Sequence, residues 1–225
     1  MTKNCLIIGI KSSLGNEIKR IFKINKYEVF GTSRNFNKNF NPHEIYLDFA
    51  NLDSLNNLKN QIPNIDCLIF CSGILIGKDI NGYKDEEIFK VYQTNIIGPV
   101  ITLSRISKKL QKKSSIVFIG SIAGSAGSYD EVYASSKSAL TGLVKSLAKK
   151  SENLMRFNLI APGLIENSTM FKKFSSAEIE NHKLNTPTKE LNELRKISQI
   201  CFNICQDEWS QLNGQTIDIN GGRYV

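Results

Sequence analysis

The fold is decided by the stretch Asn4-Cys5-Leu6-Ile7-Ile8-Gly9-Ile10-Lys11-Ser12-Ser13-Leu14-Gly15, near the amino terminus. Its first half is a short apolar run, which is typical of a buried strand. Its second half turns through small residues into residues 14–24, where apolar side chains recur with helical spacing. A buried strand followed at once by an amphipathic helix predicts the first unit of an alternating α/β fold.

The same alternation continues to the end of the chain. Further strands are predicted at residues 27–32, 44–48, 65–71, 115–119, 155–161 and 216–219. Helices are predicted at 52–60, 85–110 and 132–149, and a last one starts at Thr186-Pro187 and runs to about 205. Continuously apolar strands favour a parallel sheet that helices cover on both faces. We therefore predict a doubly wound, Rossmann-type three-layer sandwich with a mostly parallel seven-stranded sheet, in one domain over residues 1–225.

Composition narrows the class of protein. With 41% hydrophobic and 22% charged residues, the chain has the make-up of a globular protein. It contains no apolar run of spanning length and starts without a signal-peptide pattern, so we expect a cytoplasmic protein outside the membrane. The five cysteines show no metal or redox spacing, and we expect reduced thiols and no metal site. The net charge of +8 comes from lysines spread along the chain, which indicates a solvated surface rather than a nucleic-acid site.

The turn after the first strand is a candidate phosphate site. In a doubly wound sheet, ligands bind beyond the carboxyl ends of the strands. Small residues there let the backbone approach a phosphate, and the start of the helix offers free N–H groups. The candidate residues of this turn are Gly9, Lys11, Ser12, Ser13, Leu14 and Gly15. The spacing is not that of the common dinucleotide fingerprint, and a turn that binds no ligand remains an alternative.

The end of the second strand indicates which dinucleotide would bind. Folds that prefer NAD usually carry an acid here for the ribose 2′-hydroxyl, but none occurs from Thr32 through Pro42. Ser33 and Arg34 follow the strand instead, and a guanidinium suits a 2′-phosphate. Lys11 is a second candidate cation and Lys38 a weaker one. We therefore favour NADP(H) over NAD(H), the alternative being ordinary surface cations.

Two more strand ends add candidates for the adenosine side. Asp48 and Phe49 follow the third strand, where a carboxylate can accept from an adenine amino group or, equally, cap the next helix. Cys71, Ser72 and Gly73 follow the fourth strand, and the glycine would let backbone lie against a cofactor. A simple turn is the alternative for this second group.

The strongest chemical pattern is Tyr133-Ala134-Ser135-Ser136-Lys137. A tyrosine and a lysine four apart share one helix face. We expect the ammonium to lower the pKa of the phenol into the range of general acid–base chemistry, although the bare pattern is more often a surface pair. Ser121, after the fifth strand, would hold a substrate carbonyl beside the phenol. Asn95 lies inside a predicted helix, shortly before Gly98-Pro99. Asparagine, glycine and proline all disfavour a helix interior, which indicates an irregular helix at a functional site.

Together these motifs resemble the short-chain dehydrogenase/reductase family over nearly the whole chain. The resemblance is carried by Gly9, Ser13 and Gly15, by 70–73, by Asn95, Ser121, Tyr133 and Lys137, by 158–165, and by 213–215 with 218–222. It implies reversible hydride transfer between NAD(P)(H) and a small carbonyl or alcohol substrate. It also implies a homotetramer or homodimer that assembles through the helices near 85–110 and 132–149.

The resemblance assigns a role to each candidate. Tyr133 would be the general acid, Lys137 would lower its pKa and bind the nicotinamide ribose, and Ser121 would polarise the carbonyl. Asn95 would hold a water in the proton relay. Backbone at Pro162, Gly163 and Ile165 would orient the carboxamide, with Ser168 or Thr169 meeting the cofactor. Residues 166–187 would form a substrate lid.

Some positions depart from the family pattern. Phe70-Cys71-Ser72-Gly73 replaces an Asn-Asn-Ala-Gly type of motif, which removes polar groups from the adenosine side. Ser121 and Tyr133 are 12 apart, one residue closer than is common. These changes motivate an alternative, a non-catalytic NAD(P)-binding regulator or scaffold. A methyltransferase is a further alternative, but it has no use for Tyr133 and Lys137.

Overall fold

A seven-stranded parallel sheet forms the centre of the molecule. The structure is a computed structural model, and it describes residues 2–34, 43–151 and 154–224. The strands are β1 (Asn4–Ile8), β2 (Glu28–Ser33), β3 (Glu44–Tyr46), β4 (Ile65–Phe70), β5 (Leu110–Ile119), β6 (Arg156–Pro162) and β7 (Thr216–Ile219). They lie in the order β3-β2-β1-β4-β5-β6-β7, and each neighbouring pair is parallel. The predicted sheet is confirmed.

Helices cover both faces of this sheet. They are α1 (Ser13–Ile24), α2 (Leu52–Gln61), α3 (Asp85–Tyr92), α4 (Gly98–Ile106), α5 (Ala123–Ala126), α6 (Glu131–Lys149), α7 (Ser176–Leu184) and α8 (Leu194–Ile204). The apolar sides of α1 and α8 share one buried cluster with the sheet, and those of α2, α4 and α6 share the other. The three-layer architecture is therefore confirmed. None of the helices in the described ranges is long and apolar enough to cross a membrane.

The predicted long helix at 85–110 is wrong in its interior and at its end. Its middle, Gln93–Ile97, widens into a π-helical turn between α3 and α4, and β5 begins already at Leu110. Gly98 is the first residue of α4, and a Cβ at this position would collide with the ring of Phe49. The helix-breaking composition around Asn95 thus marks a real irregularity, as the sequence predicts.

The predicted helix start at Thr186-Pro187 is also wrong. Thr186 is bound back to the end of α7, since its hydroxyl donates to the carbonyl of His182 at 2.7 Å and its N–H donates to Lys183 at 3.1 Å. Lys189 then takes a positive φ of 58°, which no helix allows. The pair therefore closes α7, and α8 begins only at Leu194.

The strand order reverses direction between β1 and β4, and this places the site. The two strands pair in register from Cys5 with Cys67 to Ile8 with Phe70. The ladder continues one residue further, because the N–H of Cys71 donates to Ile8 at 2.9 Å. Phe70 stacks on Phe118 of β5 with ring centroids 4.5 Å apart, so aromatic packing ties these strand ends together. Ligands bind at such a switch point in doubly wound folds.

Candidate active site

A cleft of about 560 Å³ opens at the carboxyl ends of the strands. The segments after β1, β4, β5 and β6 line it, together with part of 166–187. Thirteen predicted site residues lie on its wall: Ser12, Ser13, Leu14, Arg34, Cys71, Ser72, Gly73, Ser121, Tyr133, Lys137, Pro162, Gly163 and Ile165. The fold thus brings together groups that are more than 150 positions apart in sequence.

The turn after β1 is closed by its own serine. The hydroxyl of Ser12 donates to the carbonyl of Gly9 at 2.9 Å and accepts from the N–H of Gly15 at 3.0 Å, which caps α1. Gly9 has a φ of +91°, and a Cβ on Gly15 would lie 2.5 Å from the carbonyl oxygen of Gly9. Both glycines are therefore needed for the turn, although they lie behind the cleft wall. The start of α1 faces the cleft at Ser13 and Leu14, which is the geometry that suits an anion.

The end of β4 fits a polar ligand beside this turn. The hydroxyl of Ser72 is buried and has no hydrogen-bond partner among the described residues. A Cβ on Gly9 would lie 3.0 Å from the backbone nitrogen of Ser72, so the two strand ends approach closely. Cys71 contacts Ser12 at 3.5 Å, and burial raises the pKa of its thiol to about 11. An unpartnered buried hydroxyl on the cleft wall fits a dinucleotide that supplies the missing hydrogen bond.

The cations near β2 differ in where they point. Arg34 lines the cleft and makes no side-chain bond within the described part of the chain. Lys11 instead pairs with Glu44 at 2.6 Å, and this ion pair lowers the pKa of the Glu44 carboxyl. Ser33 lies behind the wall, and Lys38 is outside the described residues. Arg34 is therefore the cation of this group that faces the cleft.

Asp48 and Phe49 lie outside the cleft wall. The carboxylate of Asp48 accepts from the N–H of Ala50 at 3.0 Å in a local turn. The residue that caps α2 is Asn51, which accepts from Ser54 at 3.0 Å, so the alternative role of Asp48 as the helix cap is wrong. The ring of Phe49 packs on Gly98. An adenine contact from Asp48 or Phe49 stays a prediction.

The phenol of Tyr133 lies in the cleft and is shielded from bulk water. Tyr133 is 6% exposed, and the side chain of Ser121 is near enough to affect the pKa of its phenol. The hydroxyl of Tyr133 donates to the sulfur of Met170 at 3.7 Å. Ser121 and Tyr133 therefore line the same part of the cleft, with the thioether of Met170 beside the phenol.

Lys137 lies one turn further along α6 and is 3% exposed. Its ammonium donates to the carbonyl of Ile119 at 2.9 Å and lies 5.9 Å from the centroid of the Tyr133 ring. A Cβ on Gly73 would be only 3.1 Å from that ammonium, so the glycine makes room for it. Burial lowers the pKa of Lys137 to about 8.

The expected acidification of the phenol is wrong for this structure. Burial raises the pKa of Tyr133 to about 12, the hydrogen bond from Ser121 offsets part of that rise, and the charge of Asp130 adds to it. Lys137 directs its ammonium at the Ile119 carbonyl rather than at the phenol oxygen. The phenol is consequently protonated at neutral pH.

Asn95 stands inside the π-helical turn and is fully enclosed. Its amide oxygen accepts from the N–H of Ile74 at 2.8 Å, and its amide nitrogen donates to the Ile74 carbonyl at 3.0 Å and to Ser136 at 2.9 Å. The Ser136 hydroxyl in turn donates to the carbonyl of Tyr133 at 2.7 Å. The side chain of Asn95 therefore joins the segment after β4 to α6, and a water held by this residue stays a prediction.

Asp130 is a functional residue that the sequence analysis missed. It is 0% exposed, and its carboxylate accepts from the N–H of Tyr133 and the N–H of Gly77, both at 2.8 Å. The hydroxyl of Tyr83 donates to the same carboxylate at 2.8 Å. Asp130 thus caps α6 and anchors the segment 74–83, of which residues 74–76 form part of the cleft wall. An aspartate just before a predicted helix is the N-cap signal that could have found it.

The segment 166–187 closes over the cleft through side-chain contacts. The hydroxyl of Thr169 lies 3.5 Å from that of Ser13, across the phosphate turn. Ser168 is turned back and accepts from the N–H of Phe171 at 3.1 Å. The ammonium of Lys173 donates to the carbonyl of Leu75 on the opposite wall.

Comparison with known proteins agrees with this geometry. A family model described as enoyl-(acyl carrier protein) reductase matches residues 12–223. The 3-oxoacyl-(acyl-carrier-protein) reductase FabG of Salmonella typhimurium is 28% identical over 240 residues, which cover 99% of this chain and 98% of that protein.

Solved structures agree over the same length. A protein of Brucella melitensis, described as a short-chain dehydrogenase/reductase of the glucose/ribitol dehydrogenase type, superposes with a TM-score of 0.90. It is 22% identical, and the match covers 99% of this chain and 97% of the other. ElxO with NADP bound superposes with a TM-score of 0.87 at 25% identity, covering 99% of each chain.

Proposed function

This chain belongs to the short-chain dehydrogenase/reductase family, as an oxidoreductase acting on a carbonyl/alcohol pair, and from this premise we propose an NADPH-dependent carbonyl reductase with Tyr133 as its general acid. The observation that carries the proposal is that Ser121 and Tyr133 line one cleft together, beside the buried Lys137. A pure dinucleotide-binding scaffold has no need of this pair, nor of a buried lysine beside it.

Side chains of this protein account for the proton transfer. When bound, the nicotinamide supplies the hydride. Ser121 and Tyr133 donate hydrogen bonds to the substrate carbonyl oxygen, and Tyr133 transfers its proton to that oxygen as negative charge develops. The ammonium of Lys137 favours negative charge in the same enclosed space.

The pKa of Tyr133 suits the role of a proton donor. A phenol with a pKa of about 12 is protonated at neutral pH, and a developing alkoxide is basic enough to take its proton. Alcohol oxidation would instead require the phenolate, which burial disfavours. We therefore propose Tyr133 as the acid when the carbonyl is reduced.

The cleft residues divide between the two ends of the dinucleotide. The start of α1 would hold the pyrophosphate, and the unpartnered hydroxyl of Ser72 would bind the adenosine side. Backbone at Pro162, Gly163 and Ile165 would orient the carboxamide, and Thr169 reaches the phosphate turn while Ser168 does not. Arg34 would pair with the 2′-phosphate, consistent with NADP in the ElxO structure. Arg34, and not an acid, directly follows β2.

Two further features belong to the proposal. Residues 166–187 act as the substrate lid of one domain, since they reach across the cleft at Ser13 and Leu75. We also expect a homodimer or homotetramer, because apolar side chains are exposed along the α3–α4 surface at Phe89, Ile97 and Val100.

The test is a panel of carbonyl compounds with NADPH and with NADH, followed by absorbance at the nicotinamide band. We expect turnover with NADPH and at least a tenfold lower kcat/KM with NADH. Arg34→Gln should raise the KM for NADPH at least tenfold and leave that for NADH within threefold, while the matched control Arg195→Gln, on exposed α8, changes neither. Tight NADPH binding without turnover on any compound would instead favour the regulator or scaffold.

A further inference from the structure

A guanidinium on the wall of the cleft has no carboxylate partner among the residues that the structure describes. Arg223 lines the cavity, is half-buried, and forms no ion pair with any acid of the described residues. Arginine is held in partly desolvated places mainly where it meets a carboxylate or phosphate. The positive charge of Arg223 is therefore not balanced by any acid of the described residues.

The backbone presents this side chain from a closed turn. The amide of Asn220 accepts from the N–H of Gly222 and donates to the carbonyl of Tyr224, both at 2.8 Å. Gly221 and Gly222 have φ values of 62° and 82°, and a Cβ on Gly221 would collide with Thr188. The two glycines thus seat the turn against the end of the lid, and Arg223 follows directly.

Two uncharged groups hold the guanidinium in place. Its NH1 nitrogen bonds to the ring nitrogen Nδ1 of His182 and also donates to the His182 carbonyl at 3.3 Å. Its carbon lies 5.3 Å from the centroid of the Tyr224 ring. Burial and the charge of Arg223 lower the pKa of His182, so the imidazole accepts as a neutral group. The side chain is thus oriented, and no acid within the described ranges balances its charge.

Apolar lid residues connect this guanidinium to the phenol. Met170 contacts the Tyr133 hydroxyl at 3.7 Å, and the ring of Phe174 lies edge-on to His182 with centroids 5.5 Å apart. Glu190 is the one acid among the described residues that line the cleft, and its carboxylate lies 3.8 Å from the ammonium of Lys196. A molecule that reaches from the phenol to Arg223 would pass a thioether and an aromatic ring before it meets the cation.

We propose that Arg223 binds an anionic group, a carboxylate or a phosphate, at the end of the carbonyl substrate remote from the reacting carbon, with an apolar spacer packed on Met170 and Phe174. The proposal deepens the function proposed above and rests on it. A planar guanidinium held at two points is suited to a charge-assisted, two-pronged hydrogen bond with such a group. The proposal narrows the substrate class to oxo-acids or phosphorylated ketones.

The test compares charged and neutral ketones within one enzyme. A series of linear oxo-acids, from 4-oxopentanoate to 7-oxooctanoate, is assayed beside the methyl esters and beside (ω−1)-oxoalkyl phosphates, which are methyl ketones of the same lengths. We expect the best charged compound to exceed its ester at least tenfold in kcat/KM. A preference for the acid assigns a carboxylate, and a preference for the phosphate ester assigns a phosphate. Equal or faster use of the methyl esters overturns the proposal.

A variant ties the preference to one side chain. Arg223→Gln should reduce the ratio of charged to neutral kcat/KM about 10- to 100-fold, with Arg223→Lys intermediate, whereas Arg195→Gln keeps the ratio. A ratio that survives in Arg223→Gln, in protein with an unchanged melting temperature, overturns the proposal.

A binding measurement separates this proposal from the function on which it rests. Calorimetric titration of NADP-saturated protein with adipate and with adipamide needs no turnover. Adipate binding that Arg223→Gln abolishes would support the anion site even if every ketone fails as a substrate, and that failure would count against the reductase. Equal binding of adipate and adipamide would overturn the anion site alone.

Discussion

The two walls of the cleft are built in different ways. The wall of strand ends, formed by the segments after β1 and β4, is held by main-chain contacts: the N–H of Cys71 pairs with Ile8, and Gly9 lies against the backbone of Ser72. The lid wall, residues 166–187, reaches across the cleft through single side-chain contacts from Thr169, Met170 and Lys173. Backbone packing leaves no room for an added methyl, whereas side-chain contacts break at little cost. We therefore expect the first wall to hold the proposed cofactor in a fixed site and the second to move when the proposed substrate enters.

The largest expected effect tests whether proton transfer depends on Tyr133, which lies outside the lid wall. Tyr133→Phe removes the proton donor and should lower kcat for ketone reduction by about 10³-fold. Binding of NADPH, followed by fluorescence, should stay within threefold. The control is Tyr92→Phe, which removes a hydroxyl bonded to Ser135 outside the cleft and should keep kcat within threefold. Turnover retained in Tyr133→Phe would exclude this residue as the acid.

The next effect tests the packing of the phosphate turn. Gly15→Ala places a Cβ 2.5 Å from the Gly9 carbonyl and should raise the Kd for NADPH at least tenfold, with about 1–3 kcal/mol lost from the free energy of unfolding. Gly142→Ala is the matched control, because a Cβ there meets open space within helix α6 and should stabilise the protein by about 0.5–1 kcal/mol. Calorimetric melting and NADPH titration measure both. Equal behaviour of the two variants would contradict the difference between the walls.

A smaller effect concerns stability and pH. Burial lowers the pKa of Lys137 to about 8, against 10.5 in the unfolded chain. Between these values the unfolded chain binds more protons, so this group makes the free energy of unfolding rise with pH; below pH 8 the full cost of burying the ammonium applies. Lys137→Met should therefore be more stable than the native protein at pH 7, by an amount on the order of 2–3 kcal/mol, with kcat lost.

That advantage should shrink as the pH rises from 8 to 10.5. Urea unfolding at several pH values measures the difference between the two proteins, in which other titrating groups cancel. A difference that does not change with pH would contradict a lowered pKa for this lysine.

The smallest effect is expected on the lid wall. Lys173→Met removes the bond to the Leu75 carbonyl and should change KM for the ketone by about two- to fivefold, with a shift of less than 1 kcal/mol in stability, because the contact is made by an exposed side chain. Lys172→Met, on the neighbouring exposed residue, is the control. A loss of stability as large as that of Gly15→Ala would show that the lid is as firmly built as the strand ends.

The same difference explains what could be predicted from the sequence. Periodicity and small residues placed β1, the turn after it and the Tyr133–Lys137 pair correctly, because these features depend on local patterns and on strand order. The helix start at Thr186 was wrong because a proline after a threonine is equally compatible with the end of α7. The pKa of Tyr133 could not be predicted, since it depends on burial and on the direction of the Lys137 ammonium, which only the packed structure supplies.

The carboxylate of Asp130 has a consequence for recombining this scaffold. One side chain accepts from the first turn of α6, from Gly77 and from Tyr83, so the entry loop and the reactive helix form a single transplantable module. A chimera that imports a loop at 74–83 without a tyrosine at position 83 would take one donor away from the enclosed carboxylate of Asp130. Exchange of this loop between relatives should therefore succeed best when Tyr83 and Asp130 are exchanged together.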